Sequence, residues 1–361
     1  MKRYTSKLIV SSGTLSSGGA ERVLSILSDR FVEHYDEVVY LTWIDIPDFY
    51  TINKAVKRVC VERECGSKNL FKKALWFRQF VKQEKPNVVL SFLAPFNILI
   101  CFALIGIRTK LIVAERNDPR NVCNGRLTSK LRKMAYSMAD GILEQTENNK
   151  KYFHGKLYKK TDVIYNPIIM DDEYVGKALA CNKKKKIVSV ARLTEQKNQK
   201  MLLLAFKAFL LTHPGYKLII FGEGPYRSQL EKIVLDLGLN ESVELPGAVK
   251  DVWNKIVDAE CFVLSSWFEG MPNALLEAMC LGLPCISTKV SGAVDLIRTG
   301  ENGILVDLDD HEQLAGALCN LIDNKFNQQV IGKNATQLYE LLHIDSISKQ
   351  WVEYIDNIMY K

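Results

Sequence analysis

A chain of 361 residues, 47% hydrophobic and 25% charged, is long enough for two ordinary domains with real cores. It reads as globular, without a membrane span: the longest apolar candidate, Val88 to Ile107, is broken by Ser91, Pro95, Asn97 and Gly106. The net charge of +7 hides an asymmetry, with +12 over residues 1–170 and −5 over residues 171–361, so the first half is expected to face something anionic.

The opening MKRYTSKLIVSSG has too short an apolar part for a secretory signal, which makes the cytoplasm the expected compartment. KLIVSSG reads as a strand, followed by a Gly/Ser turn with Gly18 and Gly19. The helix AERVLSILSDRF comes next, with Val23, Leu24, Leu27 and Phe31 at helical spacing. Then come the strand EVVYLTW, the helix FKKALWFRQFVKQ, the strands NVVLSFL and KLIVAE, the helix RLTSKLRKMAYSM and the strand DGILEQT. NPIIMDDEY, residues 166–174, marks a boundary. Domains are expected at 1–166 and 167–345, with a final amphipathic helix over 346–361 packing back on the first. Beyond the boundary the alternation restarts: KIVSVARL, a helix near 198–212, KLIIFGEG, a helix near 225–237, SVELPG, CFVLSS, a helix in FEGMPNALLEAMCLGLP, and PCISTK. This is the pattern of an α/β protein with two doubly wound parallel sheets, whose ligands lie outside the carboxyl ends of the strands.

Several features point away from chemistry. Nine cysteines without a CxxC pair read as reduced thiols, and five scattered histidines give a metal site no support. Asp307-Leu308-Asp309 leads into HEQLAGAL and reads as an acidic helix start rather than a metal ligand pair. Lys183 to Lys186 reads as a solvated lead-in to the next strand, and no nucleic-acid partner is expected.

Two segments carry a candidate site. In SVARLTEQKN, Arg192 and Lys197 follow a strand end, a fork and a point charge suited to a diphosphate; ordinary surface charges would look the same. In FEGMPNALLEAM, Glu269 precedes a helix entry at Pro272 and Asn273, with Asn273 as the expected N-cap, and Glu277 lies one turn in. A helix start offers unpaired amides to an anion. The bland alternative is a capped helix with two solvated acids.

Taken together, Arg192…Lys197 followed by Glu269-x7-Glu277 resembles the retaining glycosyltransferases of family four, of GT-B fold with two facing Rossmann-like domains and a cleft between them. The GGAERV start, ARLTEQKN, FGEGP and EGMPNALLEAM…GLPCIST extend the likeness along the chain, and the GMPNALLEAM type resembles enzymes of capsular, exopolysaccharide and O-antigen assembly. The resemblance implies a UDP-sugar donor, no cofactor and a saccharide acceptor carried on a polyprenyl diphosphate. It implies that Arg192 and Lys197 neutralise the leaving diphosphate, Glu269 holds the donor sugar and Glu277 the ribose. The backbone of Gly270, Met271, Pro272 and Asn273 would touch sugar and phosphate, and Gly222 and the Gly247 to Val249 turn would border the base. Gly18 and Gly19 would lie by the diphosphate, where only small residues let backbone approach. Many members have a histidine where this chain has Arg116, which leaves Arg116 to sugar or acceptor phosphate. With the glutamates in binding roles, front-face retention follows, the cations stabilising the departing charge without a metal.

Two basic helices of the first domain are expected to meet acceptor and membrane. One carries Lys72, Lys73, Arg78 and Lys82 with Trp76 and Phe77; the other carries Arg126, Lys130, Arg132 and Lys133. Such helices can lie on anionic lipid, although core-facing helices with solvated basic faces read alike. The family's lipid-diphosphate acceptors favour the membrane, and hence a peripheral protein on the inner face of the cell membrane. Three other functions stand beside transfer. A nicotinamide dehydrogenase would need G-x-G-x-x-G after the first strand, which Gly13 to Gly19 lacks. A GT-B sugar-nucleotide epimerase would need acid/base groups that are not identifiable, and a non-catalytic sugar-nucleotide or membrane binder would not need the Arg, Lys and Glu set.

Overall fold

The computed structural model describes residues 6–16, 18–123 and 125–360, in two compact units. One runs to Pro167 and takes in the last helix from Ile344; the other is Ile168–His343. The first holds strands β1 (Lys7–Ser12), β2 (Glu37–Thr42), β3 (Lys57–Cys60), β4 (Val88–Phe92), β5 (Lys110–Ala114), β6 (Gly141–Glu144) and β7 (Thr161–Val163). They pair in parallel in the order β3-β2-β1-β4-β5-β6-β7.

In the second unit β8 (Lys184–Val190), β9 (Lys217–Phe221), β10 (Val243–Gly247), β11 (Ala259–Leu264), β12 (Cys285–Thr288) and β13 (Ile304–Val306) form a parallel sheet in the order β10-β9-β8-β11-β12-β13. The strand order reverses between β8 and β11. That is the topological switch point, outside whose strand carboxyl ends open α/β sheets bind their ligands.

Alternation along β1 and β4 builds two cores on the first sheet. Leu8, Val10, Leu90 and Phe92 pack against the helix Gly19–Phe31 and against Trp351 and Ile355 of the helix Ile344–Met359. Ile9, Val89 and Val113 face Phe77, Val81, Ile100 and Tyr136 on the other side.

The strands β3, β7 and β13 were not evident from apolar runs. Each is an edge strand of three or four residues and half of its positions or more are not fully buried. The lysine run also differs from a solvated lead-in: Lys184 opens β8 and pairs with Asp258 at 2.9 Å, Lys186 pairs with the same carboxylate, and Lys183 donates to the Val257 carbonyl at 3.1 Å.

The basic helices need a larger correction. In the helix Leu70–Glu84 the 3.6-residue period turns Lys73, Phe77 and Val81 inward. Phe77 is fully buried beside Trp43, and Lys73 donates to the Trp43 carbonyl at 2.9 Å and pairs with Glu62. Arg78 ties its guanidinium to the carbonyls of Ala103 and Ile105, both at 2.7 Å, and Trp76 is half-buried and stacked on Phe80. Arg132, in the helix Arg126–Met138, is buried against Glu115 at 3.6 Å and donates to Val122 and Pro119. Lys73, Phe77 and Arg132 are buried and hold the unit together, while Trp76 and Arg78 are half-buried and engaged within it. Lys72, Lys82, Arg126, Lys130 and Lys133 remain exposed. Beside them stand exposed apolar groups. Phe71 is 71% exposed, and with Leu70, Leu75 and Ile105 it lines a groove of about 670 Å³ between the helices Leu70–Glu84 and Ala94–Ala103.

Candidate functional site

The two loops at the second unit's switch point are stitched together. After β8 the chain runs Ala191-Arg192-Leu193, held by Ala191 N–H to Phe221 O (3.0 Å) and Leu193 N–H to Glu223 O (2.9 Å), and enters a single turn over Glu195–Lys197. After β11 it runs from Ser265 to Pro272. Trp267 N–H donates to Gln196 O at 2.8 Å, Ser265 Oγ to Lys197 O at 2.9 Å, and Gln196 Nε2 to Phe268 O at 2.7 Å.

That stitching brings Lys197 onto Glu269 as an ion pair, with side chains only 15% and 10% exposed. The Glu269 carboxylate also accepts from Ser266 Oγ at 2.7 Å and from Gln196 Nε2 at 3.4 Å, while Thr288 on β12 anchors the Ser266 carbonyl at 2.7 Å. A cation and a carboxylate 72 residues apart in sequence thus meet at the carboxyl end of the sheet. Arg192 is exposed, and its guanidinium forms no ion pair among the described residues.

The helix after Glu269 spans Asn273–Cys280. Pro272, not Asn273, occupies the N-cap position, without a side-chain cap; its carbonyl accepts from Leu275 and Leu276 at 3.0 and 3.2 Å. The fixed φ of proline suits the helix boundary and displaces Asn273 into the first turn. Gly270, Met271 and Pro272 are buried and press on Gly292 in the short helix Ser291–Leu296. A Cβ there would lie 2.7 Å from Gly270 O and 2.8 Å from Pro272 Cδ.

Glu277, also buried, accepts from Trp253 Nε1 at 3.0 Å. Gly222 N–H donates to Gly247 O at 2.9 Å, and at φ 140° any side chain on Gly222 would strike Ala191 O. The turn ahead carries half-buried Val249.

Ser266, Gln196, Gly292 and Trp253 were missed by the sequence reading. Ser266 and Gln196 each stand within three residues of a charged site residue, a signal that could have found them. Nothing in its spacing connects Trp253 to Glu277. The Asp307-x-Asp309 reading shifts by one: Asp310 caps the helix His311–Asp323, accepting from Gln313 N–H at 2.8 Å. Asp307 pairs instead with Lys289 at 2.5 Å, an ion pair and hydrogen bond that hold its carboxyl below the usual range.

The remaining candidates lie in the first unit. Gly18 is the N-cap of the helix Gly19–Phe31 with ordinary extended dihedrals, and a Cβ there would meet only the movable carboxylate end of Glu21. Arg116, just past β5, is buried over the Phe92 ring at 4.5 Å and donates to Asn166. Burial pushes its pKa down to about 9, against the opposing pull of Glu144. Neighbouring Glu115 and Glu144 are buried carboxyls whose pKa values desolvation raises.

Residues 171–338 match the family model described as glycosyl transferases group 1. Over 96% of the chain it is 29% identical to a Campylobacter jejuni enzyme, 97% of which is covered. That enzyme is named as an alpha-1,4-N-acetyl-D-galactosaminyltransferase acting on GalNAc-alpha-(1->4)-GalNAc-alpha-(1->3)-diNAcBac-PP-undecaprenol. Over 97% of the chain it is 24% identical to the amylovoran biosynthesis glycosyltransferase AmsD of Erwinia amylovora, 99% of which is covered. In structure it is similar to HepE of Anabaena in complex with UDP, with a TM-score of 0.79 at 18% identity over 98% of this chain and all of the other.

Proposed function

We propose that the chain, which has the GT-B fold and matches the group 1 glycosyl transferase model over residues 171–338, is a glycosyltransferase that moves a hexose or N-acetylhexosamine, with retention of configuration, from a UDP-sugar to a saccharide on a lipid diphosphate. The observation that carries this reading is the Lys197–Glu269 pair at the switch point, held from both sides by Ser266 and Gln196. The pair sets a cation suited to phosphate beside a fixed carboxylate suited to sugar hydroxyls. UDP in the HepE complex, the undecaprenyl-diphosphate saccharide in the Campylobacter enzyme's name and the amylovoran relative support donor, acceptor and a role in surface-polysaccharide assembly.

In this reading the donor diphosphate draws Lys197 from Glu269 and meets Arg192 as a second, exposed cation. Glu269 turns to the sugar hydroxyls and Glu277 to the ribose. The bond from C1 to the diphosphate oxygen breaks as the acceptor oxygen bonds to C1 on the same face. The acceptor's proton passes to the departing phosphate oxygen, and the two cations stabilise the charge that develops there. The protein's own cations carry that charge, so the scheme asks for no metal.

A panel of UDP- and GDP-sugars with a lipid-diphosphate saccharide, read by nucleotide release and by NMR of the new anomeric centre, tests the proposal. A UDP-sugar turned over with retention in excess EDTA is expected. An inverted product, or activity lost to EDTA and restored by Mn²⁺, overturns it.

The first unit is read as the side that meets the membrane. Among the described residues no helix is long and apolar enough to cross one. The exposed Lys72, Lys82, Arg126, Lys130 and Lys133 are interleaved with exposed Phe71, Leu75, Leu127 and Met134, a pattern suited to lying on anionic lipid.

A further inference from the structure

We propose that Trp253 is a positioning residue for the nucleotide: its indole N–H fixes the Glu277 carboxylate in the orientation that receives the ribose diol. The inference rests on the reading of Glu277 as the ribose carboxylate and adds to it the group that aims it. Glu277 is buried on the helix Asn273–Cys280, and Trp253 Nε1 donates to its Oε2 at 3.0 Å. An indole N–H is a donor only, so the bond can form in one sense and keeps the carboxylate an acceptor toward hydroxyls.

Trp253 is itself held. It stands in the short helix Val252–Ile256, its ring 5.3 Å from Tyr174, and the adjacent Asn254 Nδ2 donates to Tyr174 Oη at 2.9 Å. Lys177 Nζ sits 4.0 Å over the Tyr174 ring. The tilted ring contact, at 58° between planes, restricts the indole, and the indole restricts the carboxylate. Glu277 is already buried in the free protein, and a carboxylate held in place before nucleotide binds is spared the cost of being ordered at that moment.

The test compares UDP with 2′-deoxy-UDP by calorimetry on the full chain, for wild type, Trp253→Phe and Glu277→Ala. Phenylalanine keeps a ring against Tyr174 and removes the N–H. The carboxylate then has to be ordered when nucleotide binds, so Trp253→Phe should weaken UDP about threefold. It should weaken 2′-deoxy-UDP much less, so that the preference for the ribose form collapses, while kcat at saturating donor stays near wild type. General loosening of the unit would weaken both nucleotides alike. If Trp253→Phe does not fold, benzothienylalanine at 253, which has sulfur in place of the N–H, serves for the same comparison. Unchanged preference for UDP over its deoxy form, in a protein whose Glu277→Ala variant has lost it, overturns the role of Trp253. Unchanged UDP affinity in Glu277→Ala, or no UDP binding by wild type, overturns the reading of the site on which the inference rests.

Discussion

The two units share a parallel sheet with helices on both faces, yet they treat charge at the carboxyl ends of their strands in opposite ways. Past β5 the first unit buries its pair: Arg132 and Glu115 are 1% and 2% exposed, with Tyr136 Oη donating to the same carboxylate at 2.5 Å and Glu144 buried nearby. Past β8 and β11 the second unit leaves Lys197 and Glu269 partly open, with Arg192 in solvent. A buried pair has spent its charge on its own fold, since desolvation and internal partners consume it. A pair that keeps 15% and 10% of its side chains exposed can exchange its partner for a ligand. The first unit's usable charge lies elsewhere, on the outer faces of two helices.

The largest effect should come from that outer charge. Near an anionic leaflet each Lys or Arg contributes about 1 kcal/mol, so reversing Lys72, Lys82, Lys130 and Lys133 to Glu should weaken binding to phosphatidylglycerol-rich vesicles by about a thousandfold or more. Reversing the buried Lys73 and Arg132 should instead unfold the unit. Co-sedimentation that is indifferent to the four exposed reversals would remove the contrast between inner and outer charge.

A smaller effect sharpens the description of the open pair. Glu277→Ala should weaken UDP about tenfold, as loss of a hydrogen bond from a charged group does. Glu269→Ala should leave UDP binding unchanged or tighten it, because Lys197 no longer has a competing partner, while transfer suffers. The reverse order in calorimetry would exchange the places of ribose and sugar.

The smallest effect concerns the buried carboxyls. Burial, with the charge of Glu115 adding to it, raises Glu144 well above the usual carboxyl range. The folded unit therefore keeps a proton that the unfolded chain gives up above about pH 4.3. The stabilisation is complete below that pH and is lost as pH rises through the folded-state value. Glu144→Gln should flatten the decline of the melting temperature as pH rises above the ordinary carboxyl range, because the glutamine carries no proton to lose. Parallel curves for the two proteins would show that Glu144 holds no such proton.

The sequence made the central strands of both sheets plain, because β1, β4, β5, β8 and β11 are apolar runs closed by turn residues. The edges β3, β7 and β13 were hidden, since three or four half-exposed residues make no period. In the second unit the site was legible where charge sits next to a strand end, as with Lys197 and Glu269. It was not legible where a contact depends on the third dimension: Trp253 on Glu277, or Gly292 under the Gly270–Pro272 loop. The helix Leu70–Glu84 gives the same lesson in reverse. Its basic residues could be counted from sequence, but only the fold separates Lys72 from Lys73.

Turnover by Lys197→Ala tests the central claim most directly, with nucleotide release measured against wild type at saturating UDP-sugar. If Lys197 leaves Glu269 to neutralise the departing diphosphate, its loss acts mainly on the transition state, and kcat should fall by about 10²-fold or more with the fold intact. A folded Lys197→Ala protein that turns over at nearly the wild-type rate would contradict the account.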